Sequence, residues 1–579
     1  MCASVRSSLL IGLLAAAGAS CLPSTALAQS NIGGISFLDR AARGEITLGR
    51  IRGSIGVIDY DNDGFYDLFI TDNSNLPNRL FHNVPSATAP GGRSFTDVSG
   101  VAGFATDTDG ISRSFGGVVV FDYDNDGDSD IYTVGNLTSN GTNGLLYRNN
   151  GGGTFTNVSI ASGVRSTGFN ASSVSAIDYD HDGLVDLFVS GSSSPGRTHN
   201  LLRNSGNGTF TLSRDLFPPD TFSGIIYAQG WTDYDHDGWE DWVVLENAGR
   251  PLLLRNTSGP GLTRRFTDVT TESGFTFVGP APMGLAFGDV NNDGWIDMAI
   301  TDAVSGTYYR NGGLSASGTG TLTRVQPYTT FFGWGTSYLD AENDGDLDNY
   351  QAGSFGSANI DWLLRNENNG ASWTDARPAL NTTALAAQFS AKVDFDNDGR
   401  EDIITVNPNN FVSIYHNQAT ANNHWFRIKL NGAGIVSRDA VGARVLVTSG
   451  GVTRTRELAI GTSYSATEDP RLHFGVGSAT TVDSIQVIWP RQGTLAARTE
   501  TFAGPFNVDQ TITLSPQVLC NADVNADGQV DDADLLALVN AIAGGANPAS
   551  FPTDFNRDGN SDASDIDALL QVIADGTCP

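Results

Sequence analysis

One nine-residue pattern, Asp-x-[Asp/Asn/Glu]-x-Asp-Gly-x-x-Asp, occurs seven times in the same frame and constrains this chain more than any other feature. Positions 1, 3, 5 and 9 are Asp59, Asp61, Asp63 and Asp67 in the first copy and Asp122, Asp124, Asp126 and Asp130 in the second. The third and fourth copies carry Asp178, Asp180, Asp182, Asp186 and Asp233, Asp235, Asp237, Asp241. Asp289, Asn291, Asp293, Asp297 and Asp340, Glu342, Asp344, Asp348 follow, and Asp394, Asp396, Asp398 and Asp402 close the series. Successive starts lie 63, 56, 55, 56, 51 and 54 residues apart. A fixed period of this size marks a repeat architecture, in which each unit buries its apolar face against the next.

Around each copy the chain reads as short strands. Runs such as Gly117–Val120 precede the loops, and Leu68–Ile70 or Leu187–Val189 follow them. A second marker comes later in every unit, an aromatic residue or leucine, then Arg or His, then Asn: Phe81-His82-Asn83, Tyr147-Arg148-Asn149, Leu202-Arg203-Asn204, Leu254-Arg255-Asn256, Tyr309-Arg310-Asn311, Leu364-Arg365-Asn366 and Tyr415-His416-Asn417. Units of this length suit a four-stranded propeller blade, and seven close a ring without exposed sheet edges. The expected fold is mainly β: a seven-bladed β-propeller, a small β domain and a C-terminal two-helix calcium module. Ile35–Leu38 resembles the strand that ends other repeats and is expected to complete the last blade.

Alternate carboxylates in a tight loop converge on one point, the glycine permits the turn, and a carbonyl near position 7 adds an oxygen. Several carboxylates with no His or Cys suit Ca²⁺ better than Mg²⁺ or Zn²⁺. The ions would be structural, neutralising carboxylates that otherwise repel. His181 and His236, at loop position 4, are expected to point to solvent. The repeats resemble the FG-GAP/VCBS family of integrin-α-type propellers. That resemblance implies a calcium-supported propeller used in adhesion or recognition.

After Asn417 the repeats stop. Trp425–Leu430, Ala443–Val447 and Val482–Trp489 alternate as half-buried strands do. Ser437–Ala443, Leu472–Gly477 and Trp489-Pro490 together resemble the UnbV/ASPIC domain, which follows FG-GAP propellers in cartilage acidic proteins. Arg438, Asp439 and His473 are read as a structural ion pair and a capped turn, with a polar site as the alternative.

The tail holds two loops of another spacing: Asp523, Asn525, Asp527, Asp531 and Asp534, then Asp554, Asn556, Asp558, Asp562 and Asp565. Each runs into an amphipathic stretch, Leu535–Ile542 and Ile566–Ile573, with no helix ahead of it. A loop and one helix, duplicated, with Asp at position 12, resembles a type I dockerin. The resemblance implies two bound Ca²⁺ in addition to up to seven in the propeller, and a cohesin-type partner. Cys520 and Cys578 bracket this small module and are candidates for a disulfide.

The resulting organisation is a signal peptide over 1–28, the propeller over 29–419, the UnbV/ASPIC-like domain over 420–517 and the dockerin-like domain over 518–579. Arg6, the apolar run Leu9–Ala17 and Ala26-Leu27-Ala28 carry the first assignment and imply export, secreted or at the cell surface. A lipid-anchored start at Cys21 is the alternative. With 33 basic against 64 acidic residues the net charge is −31, which repels phosphate backbones and excludes nucleic acid as a natural partner.

The leading functional expectation is a non-catalytic recognition protein whose propeller binds a protein or glycan while the dockerin tethers it to a cohesin-bearing partner. The rival is a dockerin-borne carbohydrate-active enzyme, a calcium-dependent polysaccharide lyase or hydrolase. Such an enzyme needs a base or carboxylate pair outside the metal cages. Asp215–Thr221 and Gln229-Gly230-Trp231 are the candidate loops, and Trp231, Trp239 and Trp242 a sugar platform, with core packing the competing role of these aromatics.

Overall fold

The computed structural model describes residues 30–40, 48, 53–72, 77–104, 116–135, 144–165, 170–192, 199–213, 216, 222, 224–246, 250–258, 264–276, 279–315, 318, 320–325, 332–353, 361–381, 387–407, 412–433, 436–492, 497–516, 524, 532–544 and 562–575. The signal-peptide segment, Cys520, Cys578 and Asp523, Asn525, Asp527, Asp531, Asp554, Asn556 and Asp558 lie outside these residues.

The chain is mainly β, built on repeated four-stranded antiparallel sheets of the kind a propeller uses. In the first, Ile55–Ile58, Asp67–Ile70, Arg79–Pro85 and Arg93–Asp97 pair in sequence order. Burial explains their composition. The innermost strand, Ile-Gly-Val-Ile, is covered on both faces and reads as a continuous apolar run. The outermost hides only Arg93 and Phe95 and is polar elsewhere. Six further sheets repeat this plan, with innermost strands Val118–Phe121, Asn170–Ile177, Ile226–Thr232, Pro282–Gly288, Gly333–Leu339 and Phe389–Val393.

Each innermost strand packs against the next, and Phe389–Val393 returns to Ile55–Ile58. The last of these sheets takes its outer strand from the start of the chain: Phe37–Asp39 pairs with Val412–Asn417, with Phe37 opposite Asn417.

A separate β unit follows. His424–Leu430 lies between Leu472–Gly477 and, in parallel, Gln510–Leu514. A second sheet orders Val452–Glu457, Arg444–Ser449, Thr481–Trp489 and Arg498–Asn507. Phe426, Val445, Phe474, Ile485 and Trp489 form the core between them.

This unit is docked into the centre of the ring. The segment Leu458–Arg471, between two of its strands, runs along the innermost propeller strands. Ser463 exchanges backbone hydrogen bonds with Leu285 (2.7 and 2.9 Å), Val118 N–H donates to Ser465 O (3.0 Å), and Val57 N–H to Thr467 O (3.0 Å). Ser463 Oγ reaches Thr336 N and Ser390 Oγ. Tyr464 is fully buried on the axis among Tyr227, Trp334 and Phe389.

Two helices, Asp532–Ile542 and Ala563–Asp575, touch each other at the end of the chain, with Leu538 and Leu569 buried. Among the described residues no helix is long and apolar enough to cross a membrane.

Candidate metal centres

Every aspartate loop folds around its own first carboxylate. The glycine at position 6 donates its N–H to the position-1 aspartate in all seven copies, from Gly64 to Asp59 through Gly399 to Asp394, at 2.8–3.2 Å. Position 5 accepts the N–H of position 7, as Asp63 does from Phe65 and Asp398 from Arg400. The residue at position 4 takes a left-handed backbone each time, with φ of 54–60° from Asn62 to Asn397. Asn tolerates that conformation better than most residues, which accounts for five asparagines at the seven positions.

The position-9 aspartate ties the loop to the second marker. Its Oδ1 accepts the N–H of the marker asparagine in every copy, from Asn83 on Asp67 (2.6 Å) to Asn417 on Asp402 (2.7 Å). The side chain of that asparagine then crosses to the preceding sheet and donates to the carbonyl of its loop position 2. Asn149 reaches Tyr60, Asn204 reaches Tyr123, Asn256 reaches Tyr179, Asn311 reaches Tyr234, Asn366 reaches Val290 and Asn417 reaches Ala341. Asn83 reaches Phe395 at 2.7 Å, so the cycle of seven bonds closes on itself. The sequence displays this marker without revealing its role, because the partner carbonyl belongs to a different repeat.

Positions 1, 3 and 9 converge. Asp59, Asp61 and Asp67, then Asp122, Asp124 and Asp130, then Asp178, Asp180 and Asp186 each place ligand oxygens within 4.8 Å of one another. Position 5 joins position 3 in a different grouping that includes the marker histidine, as in Asp61, Asp63, His82 and in Asp396, Asp398, His416. The chemistry of these carboxylates fits a cation. Asp180 Oδ1, Asp186 Oδ2, Asp241 Oδ2 and Asp396 Oδ1 are buried without a hydrogen-bond partner. Burial pushes the Asp67 carboxyl up to about 8 and Asp130 up to about 9, and lifts Asp186, Asp241, Asp297, Asp348 and Asp402 well above the usual range. Carboxylates held this way need a proton or a metal ion to offset the lost hydration.

The two exceptional residues at position 3 remain at the loops: Asn291 donates to Asp293 (2.7 Å), and Glu342 pairs with Arg365. In the tail, Asp534 and Asp565 are buried at their helix starts, and Asp565 accepts the N–H of Asp562 at 2.8 Å.

His181 and His236 depart from expectation. His181 is buried, with Nε2 2.6 Å from Glu240 of the next loop and its ring stacked on Trp239. His236 stacks on Trp295 at 3.8 Å, and burial pushes it down to about 3. Both bridge neighbouring loops, because position 4 leans toward the next sheet; Asn125, Asn343 and Asn397 there donate to Gly183, Gly399 and Gly64. Solvent exposure was the natural reading of a polar residue in a turn, and loop-to-loop packing overrides it.

Gln229-Gly230-Trp231 is likewise no loop. It lies in an innermost strand, where Gln229 bonds Phe188 O and Ser190. Trp231 and Trp242 are buried and stacked, and Trp239 lies under the Arg264 guanidinium, so these aromatics pack the sheets. Most of Asp215–Thr221 lies outside the described residues.

The β unit packs against the loop face. Arg427 Nη2 lies 2.5 Å from Asp394, Arg444 3.6 Å from Asp233, and Arg438 3.8 Å from Asp122. Lys429 lowers the proton affinity of Asp59, and Arg456 that of Asp289 and Asp340, against the dominant effect of burial. Asp439 accepts the N–H of Asp122 (2.7 Å), Arg438 N–H bonds Asn125, and His473 Nε2 meets Asn343 Oδ1 at 2.7 Å. Arg438, Asp439 and His473 are therefore contacts between the two units.

Fold and sites define a repeat β protein with buried acidic loops, roofed by a second β unit. Residues 122–189 and 233–300 match the family profile described as FG-GAP-like repeat, 435–518 that of ASPIC and UnbV, and 521–573 that of the dockerin type I domain. The chain carries these three elements in that order. Cartilage acidic protein 1 of Mus musculus is 31% identical over 202 residues, covering 33% of this chain and 29% of that protein. Cartilage acidic protein 1 of Xenopus tropicalis is 23% identical over 525 residues, covering 83% of this chain and 78% of its own length. Among solved structures, an Agrocybe aegerita lectin for non-reducing terminal N-acetylglucosamine overlaps 58% of this chain and 81% of its own, at 19% identity and a TM-score of 0.37.

Proposed function

We propose that this chain is an exported calcium-binding recognition protein. Residues 29–419 act as a seven-bladed propeller, 420–517 clamp its loop face, and 518–579 dock to a cohesin-type partner. Calcium would be held by positions 1, 3, 5 and 9 of the seven loops, and in the tail by the side-chain oxygens of Asp523, Asn525, Asp527, Asp531 and Asp534 and of Asp554, Asn556, Asp558, Asp562 and Asp565. Its contribution is to neutralise buried charge and fix each loop.

The observation that carries this reading is the commitment of the loop carboxylates. Positions 1 and 9 are buried and bonded to backbone N–H groups in every copy, and arginines of the second β unit face position 1 of several. Groups so engaged serve a framework rather than attack a substrate, which favours recognition over the lyase or hydrolase reading. Ligand contact then falls to the opposite edge, where the second and third strands of each sheet are joined, because the β unit already packs on the loop edge.

Calorimetry of the full chain against a panel of cohesins, in calcium and in EDTA, tests the tether. Calcium-dependent binding that is lost on Asp534→Ala with Asp565→Ala is expected. Failure to bind any cohesin in calcium overturns it. Incubation with polysaccharides in calcium should give retention without shortened products; release of such products would place the chain among the enzymes.

A further inference from the structure

The marker residue before the asparagine is arginine in five sheets and histidine in the first and last. Where it is arginine, the guanidinium can close the outer side of the loop. Arg203 lies 2.7 Å from Asp180 and 2.5 Å from Asp182, and Arg255 2.8 Å from Asp235 and 3.0 Å from Asp237. In the seventh loop His416 takes this place. It is 2% exposed, and Nε2 stands 3.0 Å from Asp396 Oδ2 and 4.0 Å from Asp398 Oδ2.

Three further features shape the spot. The Asp396 side chain is 2% exposed, and its Oδ1 has no hydrogen-bond partner. One ligand atom from each of Asp396, Asp398 and His416 falls within 4.8 Å of the others. The roof comes from the first sheet: Gly91, at φ 73°, lies so close that a Cβ there would sit 2.1 Å from Asp396 Oδ2 and 3.2 Å from His416 Cε1. Only glycine leaves this space open.

The other carboxylates of the loop are engaged. Asp394 accepts from Asp398 N, Gly399 N and Arg427, and Asp402 from Asn417 N and Phe395 N. Asp398 also pairs with Arg400, and Gln418 lies beside the His416 ring. Two carboxylates and an imidazole nitrogen form a mixed O/N set, which suits Zn²⁺ or another borderline divalent metal, whereas Ca²⁺ takes oxygen alone.

We propose that Asp396, Asp398 and His416 bind a borderline divalent transition metal at the seam between the first and last sheets. The proposal rests on the loops being cation sites and departs from that reading in the metal chosen here. The corresponding Asp61, Asp63 and His82 are open to solvent, and His82 is also bonded to Asp67 at 3.0 Å, so the proposal is confined to the seventh loop.

The full chain without an affinity tag is stripped with EDTA, saturated with calcium and titrated with Co²⁺, whose visible absorption reports imidazole ligation. The expected result is one equivalent of Co²⁺ that excess calcium does not displace, and that Zn²⁺ does. His416→Arg, which installs the residue found in the other sheets, should weaken it at least about tenfold while His82→Arg leaves it unchanged. His416→Gln, which adds no charge, should weaken it likewise. Calcium uptake without retained Co²⁺, or Co²⁺ retention unaltered in both His416 variants, overturns this inference alone. If neither metal binds, the calcium reading of the loops fails with it.

Discussion

The marker asparagine does more for this fold than its small size indicates. Asn204 Nδ2 donates to Tyr123 O at 2.8 Å and to Val185 O at 3.2 Å, and its N–H holds Asp186. Alanine at this position leaves buried carbonyls without a donor. Asn204→Ala should therefore lower stability by about 2 kcal/mol, measured by chemical denaturation in calcium; an unchanged midpoint would contradict the stapling role. His473 gives a second test. Burial pushes its imidazole down to about 3 from 6.5, although Glu401 nearby opposes the shift. The folded state thus refuses a proton that the unfolded chain accepts. Stability is intact above pH 6.5 and is lost as pH falls toward 3. His473→Gln should flatten that part of the melting-temperature profile, and a curve parallel to the wild type would exclude His473 as a cause. The loop carboxylates were legible residue by residue, because their spacing is a property of one short segment. The asparagine bonds to the preceding sheet and the stacking of His181 and His236 on the next loop were not, since each joins residues more than fifty positions apart.

Among elements, the segment Leu458–Arg471 has the largest effect on how the molecule is put together. Ser463, Ser465 and Thr467 give it backbone and hydroxyl bonds to innermost strands, and Tyr464 fills the axis. Small polar residues suit this place, since a strand edge must approach other backbones closely. Tyr464→Ala should cost about 3–5 kcal/mol and should loosen the β unit and the ring together, seen as one broadened melting transition. Separate, unchanged transitions would mean that the plug does not couple them. Strand existence was legible from apolar runs such as Ile55–Ile58 and from the alternation of Val482–Trp489. This segment was invisible, because Gly461–Ala466 has no period of two or 3.6 and its partners are spread over all seven repeats.

At the scale of the whole molecule, the order of segments was readable from the chain, while their mutual arrangement was not. The basic residues Arg427, Arg438, Arg444 and Arg456 are spread over thirty positions, and only folding brings them onto one acidic face. That face explains how a chain of net charge −31 concentrates so much acid at one edge. The β unit supplies part of the compensation, and the proposed calcium ions would supply the rest. The most direct test of the calcium reading is the melting temperature of the full chain over a calcium titration after EDTA treatment, with bound calcium counted by elemental analysis. Several equivalents of calcium should bind, and the main transition should rise by several degrees as they do. A chain that binds no calcium and melts identically in EDTA would contradict it.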